Sequence, residues 1–199
     1  MKQPIELYTD GSSLRNPGSS GLAYLIRYWE DTTNEGTPEP KIIEGSDSYR
    51  LSTNNRMEIM AVICGMNNII HMMETGTFAG YYQINLFTDS EYVANAINQN
   101  WISKWVSNNW MTSGFKGSNS KPVKNKDLWQ QIIDIQDKLK SLGISWTISH
   151  VKGHSDNEFN NRCDQLAVQA SNNTTNQKID VGYESTTTIG NRPNNNNWR

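Results

Sequence analysis

Apolar positions recur with a period of two at the start of the chain and with a period near 3.6 further on. Ile5-Glu6-Leu7-Tyr8-Thr9 alternates and runs into Asp10-Gly11, which predicts a strand followed by a turn. Leu22 to Trp29 is nearly continuous in apolar residues and reads as a second strand, and Lys41-Ile42-Ile43-Glu44 as a third. Gly36, Pro38 and Pro40 mark the stretch between them, Glu30 to Pro40, as a loop. The three strands suit an antiparallel meander.

From Asn55 to about Met73, the residues Ile59, Val62, Ile63, Met66, Ile69, Ile70 and Met73 fall every three or four positions. That spacing predicts a helix with one buried stripe, and Thr53 is placed to cap its start. Gln83 to Thr88 predicts a buried strand ending at Asp89, followed by a short helix from Glu91 to Asn98. A helix over Asp127 to Leu139, a strand over Ile144 to Ile148 and a helix over Asn160 to Ala170 complete the pattern. Three strands and then alternating helix and strand imply an α/β fold. Its sheet would be mixed and five-stranded, three antiparallel strands and then parallel ones, with helices on both faces. A chain of 199 residues suits one domain, placed at residues 1–170. Residues 171–199 hold eight asparagines and almost no aliphatic mass. They are expected to be an extension without a core of its own, flexible in part, whose removal leaves folding in place.

Composition narrows the classes of function. The longest strongly apolar stretch, Ile59 to Met66, is far short of the ~20 residues that cross a bilayer. Met1-Lys2-Gln3-Pro4 leads straight into a strand with no signal-peptide core, so a cytoplasmic protein is expected. Cys64 and Cys163 stand far apart, which fits reduced thiols better than a disulfide scaffold or a zinc site. A net charge of −2 does not by itself suggest a nucleic-acid binder, but the distribution does. Residues 101–126 carry Lys104, Lys116, Lys121, Lys124 and Lys126 without one carboxylate, interleaved with Trp101, Trp105 and Trp110. The lysines alone fit a solvated loop equally well. Ammonium groups among aromatic faces suit phosphates with sugars or bases, so the mixture favours a polynucleotide.

Three carboxylates occupy telling places. Asp10 is read as closing the first strand, Asp89 as closing the fourth, and Glu58 lies about one turn into the long helix. Sites in mixed α/β sheets lie off strand ends, where neighbouring chains diverge. Asp164, read at the start of the last helix, is a fourth candidate. Each alone has a plain structural explanation as a turn, cap or first-turn helix charge. Their coincidence points instead to a divalent cation, and all-oxygen ligands favour Mg²⁺ or Mn²⁺ over zinc. Two such ions can activate a water and stabilise the leaving oxygen of a phosphodiester. His154, in the turn Val151-Lys152-Gly153-His154-Ser155, could move a proton beside such a site.

The strings YTDGSSLRNPG (8–18), STNNRMEIMA (52–61), FTDSEYV (87–93), KPVKNKDLW (121–129) and HVKGHSDNEFNNRCDQLA (150–167) resemble type 1 ribonuclease H in its bacterial form. They occur in family order and cover almost all of residues 1–170; IDVGYE (179–184) resembles the bacterial C-terminal extension. The resemblance implies an RNase H-like fold and endonucleolytic hydrolysis of the RNA strand of RNA–DNA hybrids, leaving 5′-phosphate and 3′-hydroxyl ends. By motif, Asp10, Glu58, Asp89 and Asp164 match the carboxylates that hold two Mg²⁺ ions, and His154 matches the histidine that assists proton transfer. Asn16, Asn54 and Asn55 match residues in the hybrid's minor groove, and Thr53 and Asn125 match a pocket for a DNA-strand phosphate. Trp101, Trp105 and the lysines around them, Lys121 and Lys124 included, match a basic protrusion spanning about 100–126 that grips the DNA strand. A monomer without an obligate protein partner is expected.

The chain also departs from the family pattern. Val106-Ser107-Asn108-Asn109 replaces a run of basic residues, Leu51 stands at the usual arginine position with Arg50 one place earlier, and Glu91 replaces a common glutamine. Each departure removes positive charge near the substrate, so it bears on affinity more than on chemistry. The alternative is a hybrid-binding module of the same fold that cleaves weakly or not at all. Clustered carboxylates argue against it, because binding to a polyanion gains nothing from negative charge.

Overall fold

Strand β1 (Ile5–Ser13) pairs antiparallel with β2 (Gly18–Trp29), and β2 with β3 (Pro40–Ser52). On the other side of β1, β4 (Gln83–Thr88) runs parallel, and β5 (Ser145–His150) continues the sheet parallel to β4. The order β3-β2-β1-β4-β5 is the expected mixed five-stranded sheet. This computed structural model describes residues 3–30, 39–112, 120–153 and 157–190, without side chains for 186–190. Most of the 31–40 loop, Lys116 and His154 lie outside the described residues.

The strands outrun their sequence patterns for a physical reason. Strand β1 continues past Thr9 because β2 still pairs with it, from Asp10 opposite Ala23 to Ser13 opposite Ser20. Strand β3 is 13 residues long, although only its first part looks strand-like. It is a sheet edge with much of its length exposed, so an apolar alternation is not required of it.

Helices α1 (Asn54–Glu74), α2 (Glu91–Asn98), α4 (Lys126–Ser141) and α5 (Glu158–Asn172) lie where periodicity placed them. Thr53 caps α1 as expected, its side chain accepting from Arg56 N. Helices α3 (Trp101–Ser107) and α6 (Val181–Gly190) were not anticipated. The sheet's period-two alternation divides the core. Ile5, Leu7, Ile26, Ile84 and Leu86 join the main cluster with the α1 stripe and the fully buried Trp129 of α4. Tyr8, Leu25 and Phe87 point the other way, toward Cys163 and Phe159 of α5.

The C-terminal extension departs from its expectation. Lys178 pairs in parallel with Tyr49 on the outer edge of β3, donating to Ser48 O (2.7 Å) while its carbonyl accepts from Arg50 N (3.1 Å). Asp180 is 3% exposed and accepts from Ser52 Oγ (2.5 Å) and from Arg56 Nε (2.7 Å) and Nη2 (2.8 Å). Glu184 pairs with Arg50. Backbone pairing to an open sheet edge and a buried ion pair hold the segment, and neither registers as aliphatic mass.

Candidate active site

Strands β1 and β4 pair only as far as Thr9 and Thr88. Beyond that point β1 continues with β2 alone, while the chain after β4 turns into α2. Asp10 and Asp89 are the next residue on each strand, so both carboxylates stand where the parallel pair divides, as crevice sites in α/β sheets do. Asp10 therefore lies inside β1 and does not close it, because the antiparallel ladder carries the strand on to Ser13.

Glu58 arrives from α1 through a close approach. A Cβ at Gly11 would lie 2.4 Å from Glu58 N and 2.6 Å from the Met57 carbonyl carbon, so only glycine beside Asp10 lets the helix sit this near. Asp164 is seven residues into α5 and not at its start. The helix begins earlier because Asn157 caps it, its Oδ1 accepting from Asn160 N (3.1 Å). A first-turn dipole role for Asp164 thus loses its basis, since that effect fades beyond one turn.

The electrostatics bind the four carboxylates together. Burial, reinforced by Asp89, Asp164 and Glu58, pushes Asp10 up to about 8, against the single opposing bond from Gly11 N. Burial also raises Glu58, opposed by bonds from Ser90 Oγ and Asn54 Nδ2 (2.7 Å) and reinforced by Asp89. Asn160 Nδ2 reaches Asp89 Oδ2 at 3.4 Å. A buried Asp10 with three partly buried carboxylates acting on it, and no cation among the strongest influences, calls for a positive partner. The donors are all carboxylate oxygens and suit a hard divalent cation. As they stand, no three His, Cys, Asp or Glu side chains among the described residues are grouped as ligands of one ion.

His154 lies outside the described residues, but its neighbour Gly153 touches the site: a Cβ there would lie 2.9 Å from Asp89 Oδ2. His150 has its Nε2 3.1 Å from the carbonyl oxygen of Asp89. Sequence reasoning also missed Ser90 and Asn160 as supports. Their signal was position, since Ser90 follows Asp89 and Asn160 precedes Asp164 by one helical turn.

Beside this site a cleft of about 970 Å³ opens between the starts of α1 and α4. It gathers Asn16, Thr53, Asn55, Lys124 and Asn125, five of the expected substrate residues, and Asn125 turns the chain into α4 with a left-handed φ of 59°. Asn54 is not on its wall: its backbone N–H donates to Asn16 Oδ1 (3.0 Å) and its side chain holds Glu58. Lys121 is exposed, and its backbone pairs with Thr112. Trp101 and Trp105 are half-buried on the core, with Trp105 5.6 Å from the Trp129 ring, and they border a separate groove with Lys104. Arg50 does not replace the missing pocket arginine, because Glu184 holds it.

The family model for RNase H matches residues 2–172. Ribonuclease HI of Pasteurella multocida is 40% identical over 184 residues, which cover 92% of this chain and 99% of that protein. Ribonuclease H of Chlorobium phaeobacteroides is 39% identical over 173 residues, 87% of this chain and 99% of that one. Among solved structures, LC9-RNase H1, a type 1 RNase H with the type 2 active-site motif, superposes with a TM-score of 0.64 at 22% identity, over 94% of this chain and 82% of that one. LC11-RNase H1 in complex with an RNA/DNA hybrid gives 0.52 at 19% identity, over 83% and 94%. At these identities the solved structures speak for the fold, and the two curated relatives carry the kinship. The chain belongs to the RNase H family.

Proposed function

We propose that this chain is an endoribonuclease that hydrolyses the RNA strand of RNA–DNA hybrids, leaving 5′-phosphate and 3′-hydroxyl ends. One observation carries the reading: Asp10 is buried where β1 and β4 part, with the charges of Asp89, Asp164 and Glu58 all acting on it. A binding module gains nothing from such a cluster, whereas a phosphodiesterase needs it to hold divalent cations. Asp10, Glu58, Asp89 and Asp164 would hold two Mg²⁺ ions, with Mn²⁺ as a substitute. Bound there, the ions supply an activated water and stabilise the leaving oxygen.

The chain's own residues do the remainder. Ser90 and Asn54 fix the orientation of Glu58 by hydrogen bonds. His154, the residue after Gly153, which packs against Asp89, delivers a proton to the leaving 3′-oxygen. Thr53 and Asn125 receive a DNA-strand phosphate in the cleft, with Lys124 adding charge. Asn16 and Asn55 offer amides to the 2′-hydroxyls and groove edges of the RNA strand without selecting a base. Trp101, Trp105 and the protrusion lysines contact the DNA strand farther along. The enzyme works as a monomer in the cytoplasm, and no helix among the described residues is long and apolar enough to cross a membrane.

The test is cleavage of labelled hybrid, single-stranded RNA, duplex RNA and duplex DNA, each with and without Mg²⁺. Cleavage confined to the RNA of the hybrid and dependent on the cation is expected. Cation-independent cleavage, or equal attack on duplex RNA, would overturn the reading.

A further inference from the structure

The cleft has a third wall that its substrate residues do not account for. Gly182, Tyr183 and Ser185 of α6 line it together with Asn16, Thr53 and Asn125. We infer that the segment Asp180–Ser185 is part of the surface that receives the DNA-strand backbone, and that Asp180 is the residue that positions it. This rests on the hybrid-cleaving function proposed above.

The geometry supports the wall in three ways. Arg56, 4% exposed near the start of α1, holds Asp180 through Nε and Nη2 and Asp127 of α4 through Nη1 (2.9 Å) and Nη2 (2.7 Å). One guanidinium thus ties together all three sides of the cleft. A guanidinium stays charged at any working pH, so this tie does not depend on titration. Second, the α6 backbone lies directly on this pair: a Cβ at Gly182 would be 2.1 Å from Asp127 Oδ2 and 2.5 Å from Arg56 Nη2. Third, the segment's carboxylates are both paired, Asp180 with Arg56, which it shares with Asp127, and Glu184 with Arg50, which offsets part of their repulsion of phosphate. Asp180 also accepts from Tyr183 N (3.2 Å), which starts α6 at the height of the cleft.

The exposed Ser185 offers a test that leaves the ion pair intact. Hybrid affinity is measured by fluorescence anisotropy without divalent cation across a salt series, and kcat and KM with Mg²⁺. One phosphate contact adds about 0.9 to the slope of log affinity against log salt, or about three- to fourfold in affinity between about 50 and 200 mM. Ser185→Lys is expected to steepen the slope by up to that amount and to lower Kd and KM. Ser185→Glu is expected to raise both, and kcat should hold in each. Asp180→Asn, which loosens the wall, should raise KM with kcat unchanged.

Charge variants of Ser185 with wild-type Kd, KM and salt slope overturn the inference, and so does Asp180→Asn with an unchanged KM. If Asp180→Asn does not fold, the Ser185 pair still decides. A wild-type chain that fails to cleave the hybrid would instead remove the proposed function, and the anisotropy ranking of the Ser185 variants would still judge the wall.

Discussion

Arg56 and Glu58 lie two positions apart on α1 and face opposite electrostatic surroundings. Arg56 meets Asp127 and Asp180, and its buried guanidinium pairs with both carboxylates through hydrogen bonds. Glu58 meets Asp10 and Asp89, and among the described residues the bonds that oppose their mutual repulsion come from the neutral donors Gly11 N, Ser90 Oγ and Asn54 Nδ2. Each group centres on a buried residue, Asp180 with Arg56 in one and Asp10 in the other, and both combine residues distant in sequence. The difference separates an acidic cluster that supports the fold from one that the fold must tolerate. Burying charge without a partner costs stability, so its presence marks a site where something else supplies the partner.

The largest expected effect breaks the unbalanced side. Asp10→Asn should abolish Mg²⁺-dependent cleavage while hybrid binding stays intact or tightens, as kcat and anisotropy would report. The same variant should be more stable than the wild type, in a pH-dependent way. Asp10 titrates near 3.8 in a free chain and is pushed up to about 8 in the fold. Between those values the folded state keeps a proton that the unfolded chain has lost, so stability falls as pH rises through that window. The Tm advantage of Asp10→Asn should therefore widen from about pH 4 to about pH 8 and level off above. Mg²⁺ should narrow it by stabilising the wild type. A Tm difference that is flat in pH would show that Asp10 is not the strained charge.

On the balanced side the same kind of change should act on folding. Arg56→Met leaves Asp127 and Asp180 without their partner, and breaking a buried pair costs about 3–5 kcal/mol. Denaturant unfolding should show that loss. A change below about 1 kcal/mol would place the network among weak surface pairs.

His154→Ala should lower kcat by less than Asp10→Asn and leave measurable activity, because a proton shuttle contributes about 10²–10⁴-fold and water can replace it in part. Complete loss would make His154 a ligand. The smallest effect concerns the protrusion. Lysines at both Val106, which is exposed, and Ser107 should lower KM and steepen its salt dependence with kcat unchanged. No change in either would detach Trp101 and Trp105 from the DNA strand.

Most of the sheet and the long helices were legible because burial imposes a period, and α1 carries its stripe in plain sight. The carboxylates were legible by motif, but their placement was not. Asp10 looked like a strand end because a single chain cannot show that β2 keeps pairing beyond it. Asp164 looked like a helix start because its apolar neighbours hid the cap at Asn157. Helix α3 was obscured by its two tryptophans and Lys104, read as chemistry although both rings also pack on the core. The C-terminal extension was misjudged for the opposite reason. Its hold is polar, through Lys178 on the β3 edge and Asp180 on Arg56, and a search for apolar periodicity passes over both.

The central claim is that the carboxylate group at Asp10 exists to hold divalent cations for cleaving the RNA of a hybrid. Titrating Mg²⁺ into wild type and Asp10→Asn while following cleavage of a hybrid labelled on its RNA strand tests it most directly. The wild type should make cation-dependent cuts within the RNA strand, and Asp10→Asn none at any Mg²⁺ concentration. Cleavage by the wild type without added cation and in the presence of chelator, or near-normal turnover by Asp10→Asn, would contradict it.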